Sequence, residues 1–301
     1  MSGTIGKSAW GGTALPGRLR RVLARNPSPM TGPGTWTDIV GSGEVAVIDP
    51  GPALDSHLNA VLAALEPGER VAAILVTHAH LDHSGLAPAL ARATGAPVMA
   101  FGGAQDGRSP AMRRLVAAGL RSGGEGLDPA FAPDRRLADG EVVRGPDWAL
   151  RALHTPGHLG GHLCFAWEEV LFSGDHAMGW APSLVSPPDG DMGAYMTSLE
   201  RLAQAEWRLM LPAHGDPVAD PAARLAELAA HRRGREAQVA GALAAGPATL
   251  EEVTASVYRD IAPALLPAAR RNALAHLIDL AERNLVRAIP FPGPDALWSR
   301  P

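Results

Sequence analysis

Four side chains that can bind metal ions fall within six positions of the stretch "HAHLDH", namely His78, His80, Asp82 and His83. The stretch directly follows the apolar run "VAAILVT". In a helix, residues two apart point in nearly opposite directions, whereas in an extended or turning segment His78 and His80 face the same way. Asp82 and His83 can then turn toward a neighbouring point. The spacing predicts two ligands for one metal ion and two for a second ion beside it.

Three further metal-capable side chains stand where an apolar run meets a glycine-containing turn: His158 in "HTPGH", Asp175 in "LFSGD" and His214 in "LPAHG". In layered α/β folds, ligand sites gather at such strand ends. Imidazole and carboxylate ligands without thiolates suit Zn²⁺ and also accept Mn²⁺ or Fe²⁺. Two adjacent cations make a bridging water acidic enough to yield hydroxide near neutral pH. We therefore predict a hydrolase that holds two zinc ions and needs no serine or cysteine nucleophile.

The elements that must position these side chains read as strands alternating with helices. The pattern strand–turn–strand–helix–strand occurs twice, which favours a layered α/β fold. Strands are predicted at 18–24, 35–41, 44–51, 71–77, 97–102, 148–155, 162–175 (a pair) and 207–215, and helices at 56–65, 85–95, 111–124 and 194–206. The rest of the segment 103–140 is rich in glycine and proline and reads as loop.

From Pro221 onward the pattern changes to three helices followed by a hairpin around a Pro-Gly turn. Thr249 and Glu252 form a capping box before the second of these helices. We predict a catalytic domain over 1–220 and a small winged-helix-like domain over 221–301.

The bulk composition excludes several classes of protein. The chain has 301 residues, 46% of them hydrophobic, and a net charge of −4, so a full core is expected and no general attraction for nucleic acid or an anionic membrane. The start lacks the apolar segment of an export signal, and no uninterrupted apolar stretch is long enough to span a bilayer. Cys164 is the only cysteine, so no intrachain disulfide forms and a buried, inert thiol is expected. We expect a cytoplasmic protein.

The order Asp49, H-x-H-x-D-H, His158, Asp175, His214 resembles the signature of the metallo-β-lactamase superfamily. The segments "NPSPMTGPGTWT" and "HTPGHLGGH" and the tail resemble its lactamase-β-2-like group, which carries a C-terminal winged-helix-like domain. The resemblance implies a four-layer αββα sandwich, with two mixed sheets face to face and the metal ions at one edge.

The resemblance also implies roles for individual residues. One ion would take His78, His80 and His158, and the other Asp82, His83 and His214. Asp175 would bridge the two ions and Asp49 would support the ligands from behind. Asp82 and Asp175 are the expected catalytic residues: Asp82 would help to hold the attacking hydroxide, and Asp175 would bridge the ions. His162 and His176 adjoin ligand positions, and we expect them to orient ligands or to contact substrate.

The favoured substrate by this reasoning is a small ester, thioester or lactone. One alternative is an endoribonuclease for single-stranded RNA, and another is a non-enzymatic, metal-loaded module that binds nucleic acid. Acidic residues interleave with the arginines of the tail, so a role in shaping the cleft or in forming a homo-oligomer is favoured over contact with nucleic acid. The arginines concerned are Arg232, Arg233, Arg235, Arg270, Arg271 and Arg283.

A substrate pocket is predicted beside the metal ions. Trp180, Met192 and Tyr195 lie in the segment that follows Asp175, and they either line this pocket or cover the sheet edge. Trp36 lies in "GTWTD", where the lactamase-β-2-like group usually has Gly-Thr-Asn-Thr-Tyr, and it is the fourth pocket candidate.

Overall fold

Two mixed β-sheets form the centre of the computed structural model, which describes residues 18–123 and 126–301. The first sheet has six strands in chain order: β1 (Leu19–Leu23), β2 (Trp36–Val40), β3 (Glu44–Ile48), β4 (Arg70–Leu75), β5 (Val98–Ala100) and β6 (Arg135–Arg136). The second has five, in the order β11 (Leu209–Pro212), β10 (Val170–Gly174), β9 (Leu163–Trp167), β8 (Ala149–His154) and β7 (Val142–Arg144). Each sheet combines parallel and antiparallel pairs.

Alternation of side chains along the strands builds the layers. In β3, Ala46 and Ile48 join the cluster between the two sheets, whereas Val45 and Val47 join the cluster on the outer face. Successive residues of a strand point to opposite faces, so a strand that is apolar throughout must be covered on both sides. The strands of the second sheet follow the same rule, as Cys164 in β9 packs outward among helices.

Helices cover both outer faces. α1 (Asp55–Ala63), α2 (Leu81–Ser84), α3 (Ala87–Thr94) and α4 (Pro110–Ala117) arise from the first half of the chain, and α5 (Met192–Leu202) and the long α6 (Pro221–Ala242) follow later. Residues of α1 and α3 pack on the first sheet, and residues of α5 and α6 pack on the second. The predicted four-layer αββα sandwich is confirmed.

The C-terminal part contains α7 (Leu250–Val257), a short 3-10 turn (Pro263–Leu265), α8 (Leu266–Glu282) and the antiparallel hairpin of β12 (Arg287–Ile289) with β13 (Leu297–Ser299). The capping box of Thr249 and Glu252 is present as predicted. This part is not isolated, since Met112 and Leu115 of α4 share its core. The first half of α6 packs on the sandwich, so the boundary near residue 220 stays a prediction.

The sequence pattern set most element types correctly but misplaced several ends. The helix predicted over 111–124 ends at Ala117, and the strand predicted over 44–51 ends at Ile48. β6 lies in the segment 103–140 that reads as loop, and β7 lies just after it, where no element is predicted. Both strands are too short to show a period. Within the described ranges, no helix combines the length and the apolar character needed to cross a membrane.

His276 makes the fold sensitive to acid. Its side chain is buried in α8, and burial, with the nearby charge of Arg232, lowers its pKa to about 3. The unfolded chain takes up this proton near pH 6.5, so the unfolded state binds more protons below that pH and stability falls as the pH falls. At about pH 5 the loss relative to neutral pH is about 2 kcal/mol for this residue alone.

We therefore expect His276→Leu to flatten the dependence of unfolding free energy on pH between about 6.5 and 4. Neither ring nitrogen has a hydrogen-bond partner among the described residues, so leucine removes no bond seen in the structure. Urea unfolding at a series of pH values measures the effect. Equal slopes for the wild type and the variant would contradict it.

Candidate metal centre

The structure brings all seven predicted ligands together at one edge of the sandwich. His78, His80, Asp82 and His83 follow β4 and lead through the single turn of α2, whose first residue comes directly after His80. The other three ligands follow β8, β10 and β11 of the second sheet; they are His158, Asp175 and His214. Strand ends of both sheets therefore converge on one cluster.

Two groups of three ligands can each hold one ion. The ligand atoms of His78, His80 and His158 lie within 4.8 Å of one another, and so do those of Asp82, His83 and His214. In the first group, His80 Nδ1 is 2.9 Å from His78 Nε2 and 3.1 Å from His158 Nε2. In the second group, Asp82 Oδ2 is 3.3 Å from His214 Nε2 and 3.4 Å from His83 Nε2.

Asp175 lies between the two groups. Its Oδ1 is 3.2 Å from His214 Nε2 and 3.6 Å from His83 Nε2, while its Oδ2 is 3.7 Å from His158 Nε2. It also forms a third possible ligand group with His78 and His83. One carboxylate thus faces both groups, which is the placement that a bridging ligand requires.

The cluster fits metal ions by its unsatisfied atoms as well as by its composition. His83 Nε2 and Asp175 Oδ1 are buried without a well-aligned hydrogen bond among the described residues, and the polar atoms they approach belong to other members of the cluster. A buried polar atom without a partner costs about 1–3 kcal/mol, so a cation that both atoms bind would remove a penalty. Nitrogen and oxygen donors without thiolate suit Zn²⁺, Mn²⁺ or Fe²⁺. The identity of the metal stays a prediction.

The candidate ligand histidines fall into two groups by the direction in which their pKa is shifted. Burial and the neighbouring imidazoles hold the pKa of His78 well below its usual value and lower that of His80 to about 3. Burial also opposes a charge on His83 and His214, but adjacent carboxylates prevail, raising the pKa of His83 well above its usual value and that of His214 to about 10. Burial alone would raise the pKa of Asp175, yet His214 and His83 hold it well below the usual range. The carboxylates are therefore ionised, as metal ligands must be.

Asp49 orients two parts of the site from behind. It directly follows β3, has a left-handed conformation (φ 48°) and accepts hydrogen bonds from the backbone N–H and the hydroxyl of Thr77. Its Oδ2 also lies 2.9 Å from His83 Nδ1, which leaves His83 Nε2 to face the cluster. The same hydroxyl of Thr77 is 3.0 Å from His78 Nδ1. A partner on the far nitrogen fixes the ring of a ligating histidine.

His162 and His176, the two histidines expected to orient ligands or contact substrate, have different surroundings. His162 lies beneath Asp175, because its Nε2 accepts the backbone N–H of Asp175 and its Nδ1 is 2.9 Å from the Thr155 hydroxyl. His176 is fully buried, and its ring packs 4.7 Å from the ring of Tyr195. Neither of its nitrogens has a partner in the described part of the chain. The expectation that the side chain of His176 orients a ligand or contacts substrate is therefore wrong.

The pocket prediction also needs correction. Met192 and Tyr195 are buried in the core between α5 and the second sheet, where no substrate can reach them. Trp36 is buried too, and its indole N–H donates to Gly215 O, next to His214. Trp180 alone is open to solvent, with 48% of its surface exposed. Met192 and Tyr195 are spaced so that both lie on the face of α5 that packs on the core. This spacing predicts their burial better than their proximity to Asp175 in the chain predicts a place in the pocket.

Several contributors to the site were not anticipated from the sequence. Thr35 donates a hydrogen bond to Asp82 Oδ2, and Leu184 offers its carbonyl oxygen 2.6 Å from His158 Nδ1. The segment around Leu184 is held by the C-terminal part, since Arg232 donates to Ser183 O and the N–H of Val185 donates to Asn272. Thr35 follows Gly34 in a loop, and this position in the sequence could have indicated a polar side chain at the site. The Leu184 carbonyl could not have been predicted, because every residue has a backbone carbonyl whatever its type.

The lone thiol should be chemically silent. Cys164 is buried, accepts a hydrogen bond from Thr155 and contacts Ser173 O, and burial raises its pKa to about 12. Because the thiolate is the reactive form, we expect no reaction with a disulfide reagent such as Ellman's reagent at mildly alkaline pH. One thiol should appear when the protein is unfolded in urea. Rapid labelling of the folded protein would contradict this placement.

An αββα sandwich that gathers imidazole and carboxylate ligands at one edge defines a class of metal-dependent hydrolases. The chain belongs to the metallo-beta-lactamase superfamily, which residues 30–214 match, and residues 249–290 match the beta-lactamase associated winged helix domain. The predicted winged-helix domain and hydrolase class are confirmed.

Named relatives and solved structures extend the comparison. The chain is 32% identical to the lactamase-like protein aptB of Emericella nidulans, over 83% of this chain and 76% of the relative. It is 33% identical to an atrochrysone carboxyl ACP thioesterase of Aspergillus chevalieri, over 80% and 73% of the two chains. A metallo-beta-lactamase family protein from Thermus thermophilus superposes with a TM-score of 0.73 at 25% identity, covering 94% of this chain and 99% of the other. A beta-lactamase domain protein from Burkholderia ambifaria has the same fold, with a TM-score of 0.77 at 24% identity over 94% and 91%.

Proposed function

We propose that this hydrolase cleaves acyl thioesters, such as those of acyl groups borne by a carrier protein. Two relatives at 30% identity or more bear the name of an ACP thioesterase, which supports this substrate class over the esters and lactones expected beside it. The proposal assigns His78, His80 and His158 to one ion and Asp82, His83 and His214 to the other, with Asp175 between them.

The single observation that carries the proposal is a small hollow beside two of the candidate ligands, His80 and His158. It measures about 10 Å³ and is walled by His80, His158, Leu127, Leu184, Ser186 and Asp189. The two histidines are ligands, and Asp189 is already paired with Arg108. None of these walls offers a free acid that could protonate a poor leaving group.

A thioester is the acyl substrate that tolerates such a site. Its leaving group is the anion of a thiol with a pKa of about 8.5, which departs without being protonated. An alkoxide or an amine needs a proton as it leaves, and therefore a positioned acid. The hollow has room for about one water molecule, so the body of the substrate must lie outside it.

The protein's own residues prepare the reaction. Metal ions bound here supply Lewis-acid activation of water and of the substrate carbonyl. Burial opposes ionisation of Asp82, but His83 and His214 hold its pKa well below the usual range, so it stays a carboxylate. The Thr35 hydroxyl orients Asp82 Oδ2, and this oxygen can accept a hydrogen bond from the attacking water while remaining a carboxylate. Leu184 keeps His158 in the tautomer that directs Nε2 to the cluster.

The experiment compares four substrates on the metal-reconstituted protein: the acetyl thioester of N-acetylcysteamine, its oxygen-ester counterpart, a lactone and an unstructured RNA. We expect release of thiol from the thioester, slower turnover of the ester and lactone, and no RNA cleavage. Preference for the ester or lactone, or RNA cleavage without thiol release, would overturn the proposal. Asp175→Asn serves as the control for contaminating activity.

The geometry of the tail does not favour the ribonuclease alternative. Arg233, Arg270 and Arg283 each form an ion pair with a glutamate: Glu200, Glu251 and Glu236, respectively. Arginines that neutralise phosphates must be available for them. These three arginines are paired within the protein, so they contribute little attraction for the phosphates of RNA.

A further inference from the structure

A large cavity lies beside the metal centre, between the loop that follows Asp175 and the C-terminal helices. Its volume is about 610 Å³, within the usual range for small-molecule sites. Residues of α6, of the end of α7, of α8 and of the connection 258–265 line it, together with Trp180 and Leu184. Leu184 lines both this cavity and the small hollow at the ligands. Leu184 is therefore a wall that both spaces share.

The walls of the cavity are mostly apolar but carry an excess of positive charge. Trp180 and Tyr258 supply aromatic surface. Three arginines line the cavity against one carboxylate, Asp260. The guanidinium of Arg235 lies 4.6 Å from the centre of the Tyr258 ring, an arrangement that fixes it at the wall.

Arg232 is the most informative of these residues. Its side chain is buried, with 2% of its surface exposed, and it forms no ion pair with a carboxylate of the described residues. Its Nε has no hydrogen-bond partner in that part of the chain, and neither does Nδ1 of His231, which also lines the cavity. Its other nitrogens donate to Ser183 O and Asn272, and its guanidinium lies 5.2 Å from the centre of the Tyr195 ring, but these partners are neutral and leave the buried charge without a counter-charge. An anionic oxygen in the cavity would supply that counter-charge.

We propose that this cavity binds the acyl part of the thioester, and that this acyl group has an apolar frame bearing an anionic oxygen remote from the thioester. The inference rests on the thioesterase function proposed above and names its substrate class. The thioester carbonyl reaches the ligands past Leu184, while the frame packs against Trp180 and Tyr258. The remote anionic oxygen lies near Arg232 and Arg235, which line the cavity.

The first measurement is binding to the metal-stripped protein, so that it does not depend on turnover. Titration calorimetry compares suberate with octanoate, which has the same chain length but no second carboxylate. We expect suberate to bind about tenfold more tightly, since a hydrogen bond to a charged group contributes about 1.5–3 kcal/mol. Arg235→Gln should remove most of this preference. Equal affinities of the wild type for the two acids would overturn the charge argument.

The second variant fills the cavity. Ala268 of α8 lines it, and Ala268→Trp should weaken the binding of both acids about tenfold or more. The matched control is Ala237→Trp, at an exposed position of α6 outside the cavity, for which we expect wild-type affinity. Thermal unfolding checks that both variants fold. If the tryptophan at 268 prevents folding, Arg235→Gln alone decides the question.

Kinetics then separate this inference from the proposed function. With N-acetylcysteamine thioesters, the ratio of kcat/KM for the suberyl over the acetyl substrate should fall about tenfold in Arg235→Gln. Thioester hydrolysis with a ratio that neither variant changes would overturn the cavity assignment and leave the thioesterase standing. Binding that both variants weaken, without hydrolysis of any thioester, would overturn the thioesterase and leave an anion-binding cavity.

Discussion

Asp175→Asn is expected to lower kcat/KM for a thioester by about a thousandfold or more while the protein still folds. Asp175 is the one carboxylate that faces both ligand groups, at 3.2 Å from His214 Nε2 and 3.7 Å from His158 Nε2. Asparagine has nearly the same shape but no charge, and its amide donates where the ligand must accept. The same variant should lose metal, which elemental analysis after dialysis measures directly.

The matched control for this variant is Asp216→Asn, the same change at an exposed carboxylate two residues beyond His214. It should retain wild-type activity and metal content. Full activity of Asp175→Asn, or full activity of the wild type after chelation, would remove the basis for the metal centre. Loss of activity with complete retention of metal would instead restrict Asp175 to a role other than binding.

Arg232→Met is expected to affect both stability and the metal centre. Arg232 donates hydrogen bonds to Ser183 O and to Asn272, and Asn272 accepts the N–H of Val185. These contacts hold both neighbours of Leu184, whose carbonyl orients His158. Removing a buried charged donor and leaving a carbonyl without a partner should lower the unfolding free energy by about 2–4 kcal/mol. Metal affinity should fall about 10–100-fold, as when a partner of a ligand is lost.

Arg233→Met provides the comparison for Arg232→Met. Arg233 is the next residue of α6, its side chain is 62% exposed, and its pairing with Glu200 is a surface ion pair. Such pairs contribute little, so we expect a change in unfolding free energy below about 1 kcal/mol and unchanged metal affinity. Denaturant unfolding and competition with a coloured chelator measure the two quantities. A folded Arg232→Met protein with wild-type metal affinity would show that the C-terminal part does not orient His158.

The candidate ligands could be predicted from the sequence because their signal is local. His78, His80, Asp82 and His83 share one turn after a buried strand, and the other three ligands each follow an apolar run. Strand ends of a layered α/β fold converge, so side chains at those ends are brought together whatever the details of packing. The capping box at Thr249 and the alternation of strands with helices could also be predicted, because these signals are local in the sequence.

The predictions that failed concerned side chains whose surroundings are set by distant segments. Met192 and Tyr195 follow Asp175 in the chain, but α5 turns both into the core against the second sheet. His176 adjoins a ligand, yet its ring packs away from the cluster, beside Tyr195. Burial depends on what covers an element, and neighbours in the chain do not determine this.

The sequence by itself determined the chemistry of this protein: which side chains can bind metal, in what order they follow the strands, and hence the class of reaction. Only the tertiary structure decided how those ligands are held and where a substrate can lie. The Leu184 carbonyl joins segments 26 residues apart, and the buried Arg232 beside the cavity joins segments 49 residues apart. A backbone oxygen has no residue type, and the free energy of a buried charge depends on its solvent and partners, which exist only once the chain has folded.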